Sequence, residues 1–163
     1  MIAPILVLTT GGTIDKQYFD ALSEYQIAEP MVSALLKTAR VTHPFRIAEL
    51  MRKDSLELTD DDRTAIRVAV EQAPEVSIVV THGTDTMVQT AAALEEVEGR
   101  TIVLVGALAP ARFAESDAAF NLGMAFASAQ ALPPGVYITM NGTVFPARQV
   151  VKDRKRNAFV ATD

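Results

Sequence analysis

The chain has 163 residues, no cysteine and only two histidines, His43 and His82, so a disulfide framework, a thiolate metal site and a histidine-rich metal centre are excluded. A net charge of −5 and a pI near 5.0 argue against a nucleic-acid partner, and no apolar run approaches the ~20 residues needed to cross a membrane. The length predicts a single domain over residues 1–163, and Met1 leads into strand-like sequence without a basic leader, which predicts a cytoplasmic protein.

Ile5-Leu6-Val7-Leu8 is a short apolar run stopped by Thr9-Thr10-Gly11-Gly12-Thr13-Ile14, and reads as a buried strand. Residues 15–26 are polar with no clear period, and are expected to be a mobile loop over a site. Pro30 opens a helical stretch to Arg40. Residues 45–50 alternate as a second strand, ended by Asp54-Ser55. Thr59 is a good N-cap, and Asp60, Asp61 and Asp62 suit the positive end of a helix reaching about Ala73.

Residues 76–80 form the next apolar strand, followed by Thr81-His82-Gly83-Thr84-Asp85-Thr86 and a helix from Met87 to about Val97, ended by Gly99. Residues 101–105 are a further strand, and Asp117 to Leu132 a further helix, closed by Pro133-Pro134. The last clear strand covers residues 135–140. Asn141-Gly142 then signals a tight turn from which Val144-Phe145 can return as a hairpin. Strand and helix alternate, so the fold class is α/β: a doubly wound, mostly parallel sheet in three αβα layers, Rossmann-like or flavodoxin-like, with a C-terminal hairpin. The basic run 152–156 reads most simply as a solvated tail, with a lid or carboxylate clamp as the sharper reading.

Ligands of open α/β sheets bind at the carboxyl ends of the strands. The two threonine-bearing turns fall there. Gly11-Gly12 removes side-chain walls around Thr13, which is either a nucleophile or a loop hydroxyl bonded to backbone. Asp85 either caps a helix or receives a substrate ammonium, with Thr84 assisting proton transfer. His82 is as well suited to a buried structural role as to base catalysis and stays outside the catalytic set. Lys152 either is solvated or, partly desolvated, relays a proton for Thr84. Ser55 caps a turn or binds substrate. Tyr25 and Tyr18 lie in the polar segment over the site.

Together these motifs resemble the bacterial L-asparaginase/glutaminase family. Thr10-Gly11-Gly12-Thr13-Ile14 is similar to its first signature and His82-Gly83-Thr84-Asp85-Thr86 to its second. Gly106-Ala107-Leu108-Ala109-Pro110, Phe120-Asn121-Leu122, and Met140-Asn141-Gly142-Thr143-Val144 followed by Arg148 and Lys152 resemble the later segments, in the same order. The resemblance covers only that family's N-terminal catalytic domain, so a short-chain form without the second domain is expected. It implies hydrolysis of L-asparagine to L-aspartate and ammonia through an acyl-enzyme on Thr13. Thr84, Lys152 and Asp85 would form a relay, and Tyr25 (alternatively Tyr18) would be the lid tyrosine. Asp85, Ser55, Gly12, Gly83 and Thr84 would bind substrate. Either Tyr25 or Thr84 with Lys152 would take the proton from Thr13. No metal or organic cofactor is implied, and a homo-oligomer, dimer or tetramer, is expected to close the site. The rival reading is a module that binds aspartate or asparagine without turnover.

Overall fold

Fourteen strands and α-helices follow one another in chain order: β1 (Ile5–Gly11), β2 (Lys16–Phe19), β3 (Glu24–Ile27), α1 (Val32–Thr38), β4 (Phe45–Lys53), α2 (Asp60–Gln72), β5 (Ser77–Thr81), α3 (Met87–Leu94), β6 (Thr101–Val105), α4 (Ala118–Ala131), β7 (Gly135–Met140), β8 (Thr143–Pro146), β9 (Val150–Asp153) and β10 (Ala158–Ala161). The computed structural model describes residues 1–163. The main sheet has the order β4-β1-β5-β6-β7-β8, parallel except for β8 at one edge. Its parallel strands, taken in chain order, run 2-1-3-4-5, the flavodoxin-like arrangement, whose switch point lies between β1 and β5.

Alternation along each strand builds two cores. Leu6, Leu8, Ile78, Val80, Ile102 and Leu104 face α2 and α3, where Ile66, Val70, Met87 and Leu94 meet them. Ile5, Val7, Val79, Val103 and Val105 face α1 and α4, against Val32, Leu36, Leu122 and Phe126. Both faces are covered, which is why these strands read as unbroken apolar runs rather than alternating ones. The α2 start is the expected cap: Asp62 N–H donates to Thr59 Oγ1 (3.2 Å) and Thr59 N–H to Asp62 Oδ2 (2.9 Å). Asn141 (φ 53°) and Gly142 (φ 68°) both take the left-handed conformation that a two-residue hairpin turn needs, and β8 returns antiparallel to β7. No helix is long and apolar enough to cross a membrane.

Two expectations are corrected. Residues 15–26 are not an unstructured loop: β2 and β3 pair as an antiparallel hairpin with Tyr18 opposite Tyr25. The hairpin stands off the main sheet, so neither face imposes an apolar alternation, and its turn uses a 3-10 stretch ending at Ser23 (φ 49°) instead of an Asn-Gly pair. The basic run is not a solvated tail. It is the turn between β9 and β10, held by Asp153 Oδ1 accepting the N–H groups of Lys155 (3.0 Å) and Arg156 (3.2 Å). Val150 and Phe159 bury this hairpin in the core, and Phe159 N–H donates to Asn141 Oδ1 (2.8 Å).

Candidate active site

The turn after β1 and the turn after β5 touch through backbone. A Cβ on Gly12 (φ 91°) would sit 2.4 Å from Gly83 N, so no other residue fits there without moving a main chain. A Cβ on Gly83 would in turn sit 2.6 Å from Ser55 Cβ. Three strand ends thus converge at the switch point and carry Thr13, Thr84 and Ser55.

His82 shapes the second turn. Its Nδ1 lies 2.6 Å from Gly83 O and its Nε2 2.7 Å from Thr90 Oγ1. A carbonyl can only accept, so Nδ1 carries the proton and Nε2 accepts from the Thr90 hydroxyl. Burial drives the imidazole down to about 4, outweighing the Gly83 carbonyl that favours its charged form. The ring is therefore neutral at physiological pH and pins Gly83 to α3, a structural role.

Lys152 reaches back from β9 to the second turn. Its Nζ donates to Thr84 Oγ1 (2.7 Å) and to Asp85 Oδ1 (2.8 Å). The lysine side chain is 13% exposed and Asp85 33% exposed, while Thr84 is buried. A charged donor on Thr84 leaves the hydroxyl's own proton free to be donated elsewhere. Thr86 fixes the turn from the other side, its hydroxyl donating to Ser55 O (2.7 Å).

Thr13 lines a separate cavity of about 370 Å³ with Lys16, Tyr25, Leu108, Pro110 and Phe113. Tyr25 lies on this cavity and Tyr18 does not; the two rings are 5.2 Å apart, and Tyr25 meets Phe113 edge-on at 5.8 Å. Ser55 is buried against Gly83 rather than on the cavity wall. The wall loop after β6 is held by Asp117, whose carboxylate accepts from the N–H groups of Leu108 (2.9 Å) and Ala109 (3.1 Å) and from Asn121 Nδ2 (2.8 Å). The structure thus gathers Thr84, Asp85 and Lys152 into one cluster and Thr13 with Tyr25 on one cavity. The Gly12–Gly83 contact joins the two.

A larger cavity, about 530 Å³, opens between α2 and α3. Its arginines are matched by acids: Arg63 with Asp60 (3.2 Å), Arg67 with Glu96 (3.1 Å), Arg148 with Glu95 (2.5 Å). It holds no converging nucleophile or proton relay, so size alone is the poorer guide here. No group of three or more His, Asp or Glu side chains converges as a metal ligand set.

Sequence reasoning missed Lys16, Asp54 and Asp15. Lys16 pairs with Asp54 at 3.1 Å between the cavity and the Ser55 turn. Burial would raise the Asp54 carboxyl, but the Leu56 N–H and the Lys16 ammonium outweigh it and hold the group below its ordinary range. A lone lysine or aspartate beside a turn carries no pattern that separates it from solvated surface. Asp15 is 1% exposed. One oxygen accepts Met31 N–H (2.9 Å), and the other is buried without a partner. Burial raises its carboxyl from the ordinary 3.8 to about 6, against the Met31 N–H and Arg112, which lower it.

Because the folded pKa of Asp15 lies above the unfolded one, folding favours the protonated form. The associated stability is present below about 3.8 and lost as pH rises through about 6. Asp15→Asn retains an acceptor for Met31 and cannot ionise. Each pKa unit corresponds to about 1.4 kcal/mol, and the new amide brings two N–H groups to the site of the partnerless oxygen, so a net gain of at most about 1 kcal/mol is expected at pH 7.5. Urea unfolding should show this gain shrinking as pH falls from 6 to 4. A gain that does not change with pH would remove ionisation as its cause.

The sequence model described as "Asparaginase, N-terminal" matches residues 4–162. The chain belongs to the asparaginase family. Among its asparaginase relatives, the glutaminase-asparaginase of Acinetobacter glutaminasificans is 33% identical over 162 residues, covering 91% of this chain and 49% of that protein. A glutamyl-tRNA(Gln) amidotransferase subunit from Methanococcus vannielii is 43% identical over 177 residues, covering 95% of this chain and 40% of that protein. The crystal structure of L-asparaginase I from Vibrio cholerae superimposes with a TM-score of 0.85 at 26% identity, over 99% of this chain and 52% of that one. The chain spans about half the length of the curated relatives it matches. Asparaginase family membership and the α/β fold thus agree with the motifs at Thr13 and Thr84.

Proposed function

We propose that this chain hydrolyses L-asparagine to L-aspartate and ammonia through an acyl-enzyme on Thr13. The observation that carries the reading is the Lys152 ammonium between Thr84 Oγ1 and Asp85 Oδ1, on a turn in backbone contact with the Thr13 turn. In this reading Thr13 Oγ attacks the side-chain amide carbon, and the C–N bond breaks as ammonia leaves with an added proton. Water then hydrolyses the ester and frees Thr13. Asp85 Oδ2, the oxygen not engaged by Lys152, receives the substrate α-ammonium. Backbone N–H groups of the Gly83–Thr84 turn stabilise the developing oxyanion, where one such donor is worth roughly 3–4 kcal/mol. The Thr13 proton passes either to Tyr25 or to Thr84, which hands its own proton to Lys152 in the neutral amine form. Tyr25 is the first candidate because it lines the Thr13 cavity.

The same reading places the chain in the cytoplasm as a homo-oligomer, a dimer or tetramer, that shields the site. Tyr25 and Phe113 on the cavity, and Tyr18 against Tyr25, all expose apolar surface. Light scattering that finds only a monomer sinks the assembly part. The rival reading, a module that binds aspartate or asparagine without turnover, draws on the half-length match to the relatives. An ammonia-release assay separates the two. Asparagine should be turned over and glutamine much less: one added methylene displaces the amide carbonyl by ~1 Å, and misplacement of that size costs about a hundredfold. Equal kcat/KM for both amides would show that the site does not measure chain length. Binding without ammonia release would establish the rival.

A further inference from the structure

The β2–β3 hairpin carries Tyr25 but pairs with no strand of the main sheet. A lone two-stranded hairpin is marginal in water, so what anchors it decides where Tyr25 sits. One side chain reaches both of its feet. Arg112, in the loop between β6 and α4, donates from Nη1 to Asp15 O (2.8 Å) and from Nη2 to Glu29 O (3.0 Å). Asp15 immediately precedes β2, and Glu29 follows β3 by two residues. The feet are also closed on each other by Ala28 N–H donating to Asp15 O (2.9 Å).

The same loop makes two more contacts with this region. Ala111 N–H donates to Ile14 O (3.0 Å), and Phe113 packs edge-on against Tyr25. Pro110 and Phe113 of this loop share the cavity wall with Thr13 and Tyr25. The loop therefore bears on the hairpin, the Thr13 turn and the cavity at once. A guanidinium suits this task because its planar fork can serve two carbonyls simultaneously, which a single ammonium on a flexible stem cannot hold as well. The Arg112 charge also acts on the buried Asp15 carboxyl, lowering its pKa against the larger effect of burial.

We propose that Arg112 is a positioning residue: it clamps both feet of the β2–β3 hairpin and so holds Tyr25 against the Thr13 cavity. It touches no reacting atom. Its kinetic consequence rests on the asparaginase reading above; its structural consequence does not.

Arg112→Gln and Arg112→Lys should be compared with wild type by hydrogen exchange without substrate and by steady-state kinetics with L-asparagine. Amides of residues 16–27 should exchange at least about tenfold faster in the Gln variant, with β5 and β6 unchanged and the Lys variant intermediate. In the Gln variant kcat should fall roughly tenfold, with KM changing less, and Lys should restore part of it. Wild-type protection of residues 16–27 in the Gln variant would overturn the clamp. So would acceleration that extends equally to β5 and β6, which would mark a general strut of the fold. If the Gln variant does not fold, the Lys variant decides on the same exchange criterion. A wild-type protein that releases no ammonia would sink the catalytic reading, while the exchange data still judge the clamp.

Discussion

Thr13→Ala is expected to remove ammonia release from L-asparagine almost completely, by about 10⁴-fold or more, the scale seen when a covalent nucleophile is deleted. That loss corresponds to at least ~5 kcal/mol of transition-state stabilisation. Folding should be unaffected. The turn is held by main-chain bonds, Asp15 N–H to Gly12 O (3.1 Å) and Ala111 N–H to Ile14 O (3.0 Å), and alanine keeps both. The neighbouring groups Thr84, Asp85 and Lys152 also stay in place, so calorimetry should still detect binding of L-aspartate. Turnover within tenfold of wild type would take the nucleophile role from Thr13. Loss of turnover and binding together would point to a collapsed site, which thermal unfolding would register.

Lys152→Met is the second large effect, a loss of about 10²–10⁴-fold in kcat, the range supplied by a positioned proton-transfer group. Methionine keeps much of the stem's length and apolar packing but removes the ammonium that donates to Thr84 Oγ1 and Asp85 Oδ1. Without it, the Thr84 hydroxyl has no charged donor to orient it, and Asp85 loses its ion-pair partner. Asp85 is a third exposed, so water replaces much of that pairing and the stability change should stay within about 1 kcal/mol. Lys152→Arg should recover little activity, because a planar fork does not fit the point between one hydroxyl and one carboxylate that an ammonium occupies. Lys152→Met with kcat within tenfold of wild type would dismiss the relay. A large destabilisation would reassign the lysine to folding.

The main sheet and its helices were legible because each rests on local chemistry repeated over several residues. Residues 5–8, 78–80 and 102–105 are unbroken apolar runs, as suits strands covered on both faces, and Thr59 with Asp62 forms the expected cap. Asn141-Gly142 announced its turn because few other pairs adopt two successive positive φ values. The Thr13 and Thr84 turns could be placed at strand ends for the same reason.

What faces what was a different matter. The β2–β3 hairpin was invisible to periodicity because it pairs with no strand of the main sheet, and its place is set by tertiary contacts: the Arg112 anchor, Phe113 against Tyr25, and Lys16 with Asp54. Lys152 sits in a run of charges whose near neighbours do not separate solvation from a partnership with Thr84; folding of β9 onto the core through Val150 carries it to Thr84, 68 positions away. Asp15 follows Ile14 with nothing to mark it as buried; its environment is assembled from Met31, Arg112, Glu49 and Arg52, contributed by distant segments. Sequence alone determined the strands, the helices and the turns that bear the hydroxyls, because these follow from near neighbours. Desolvation and the pairing of charges across long loops depend on which surfaces exclude water together, and that only the tertiary structure decided.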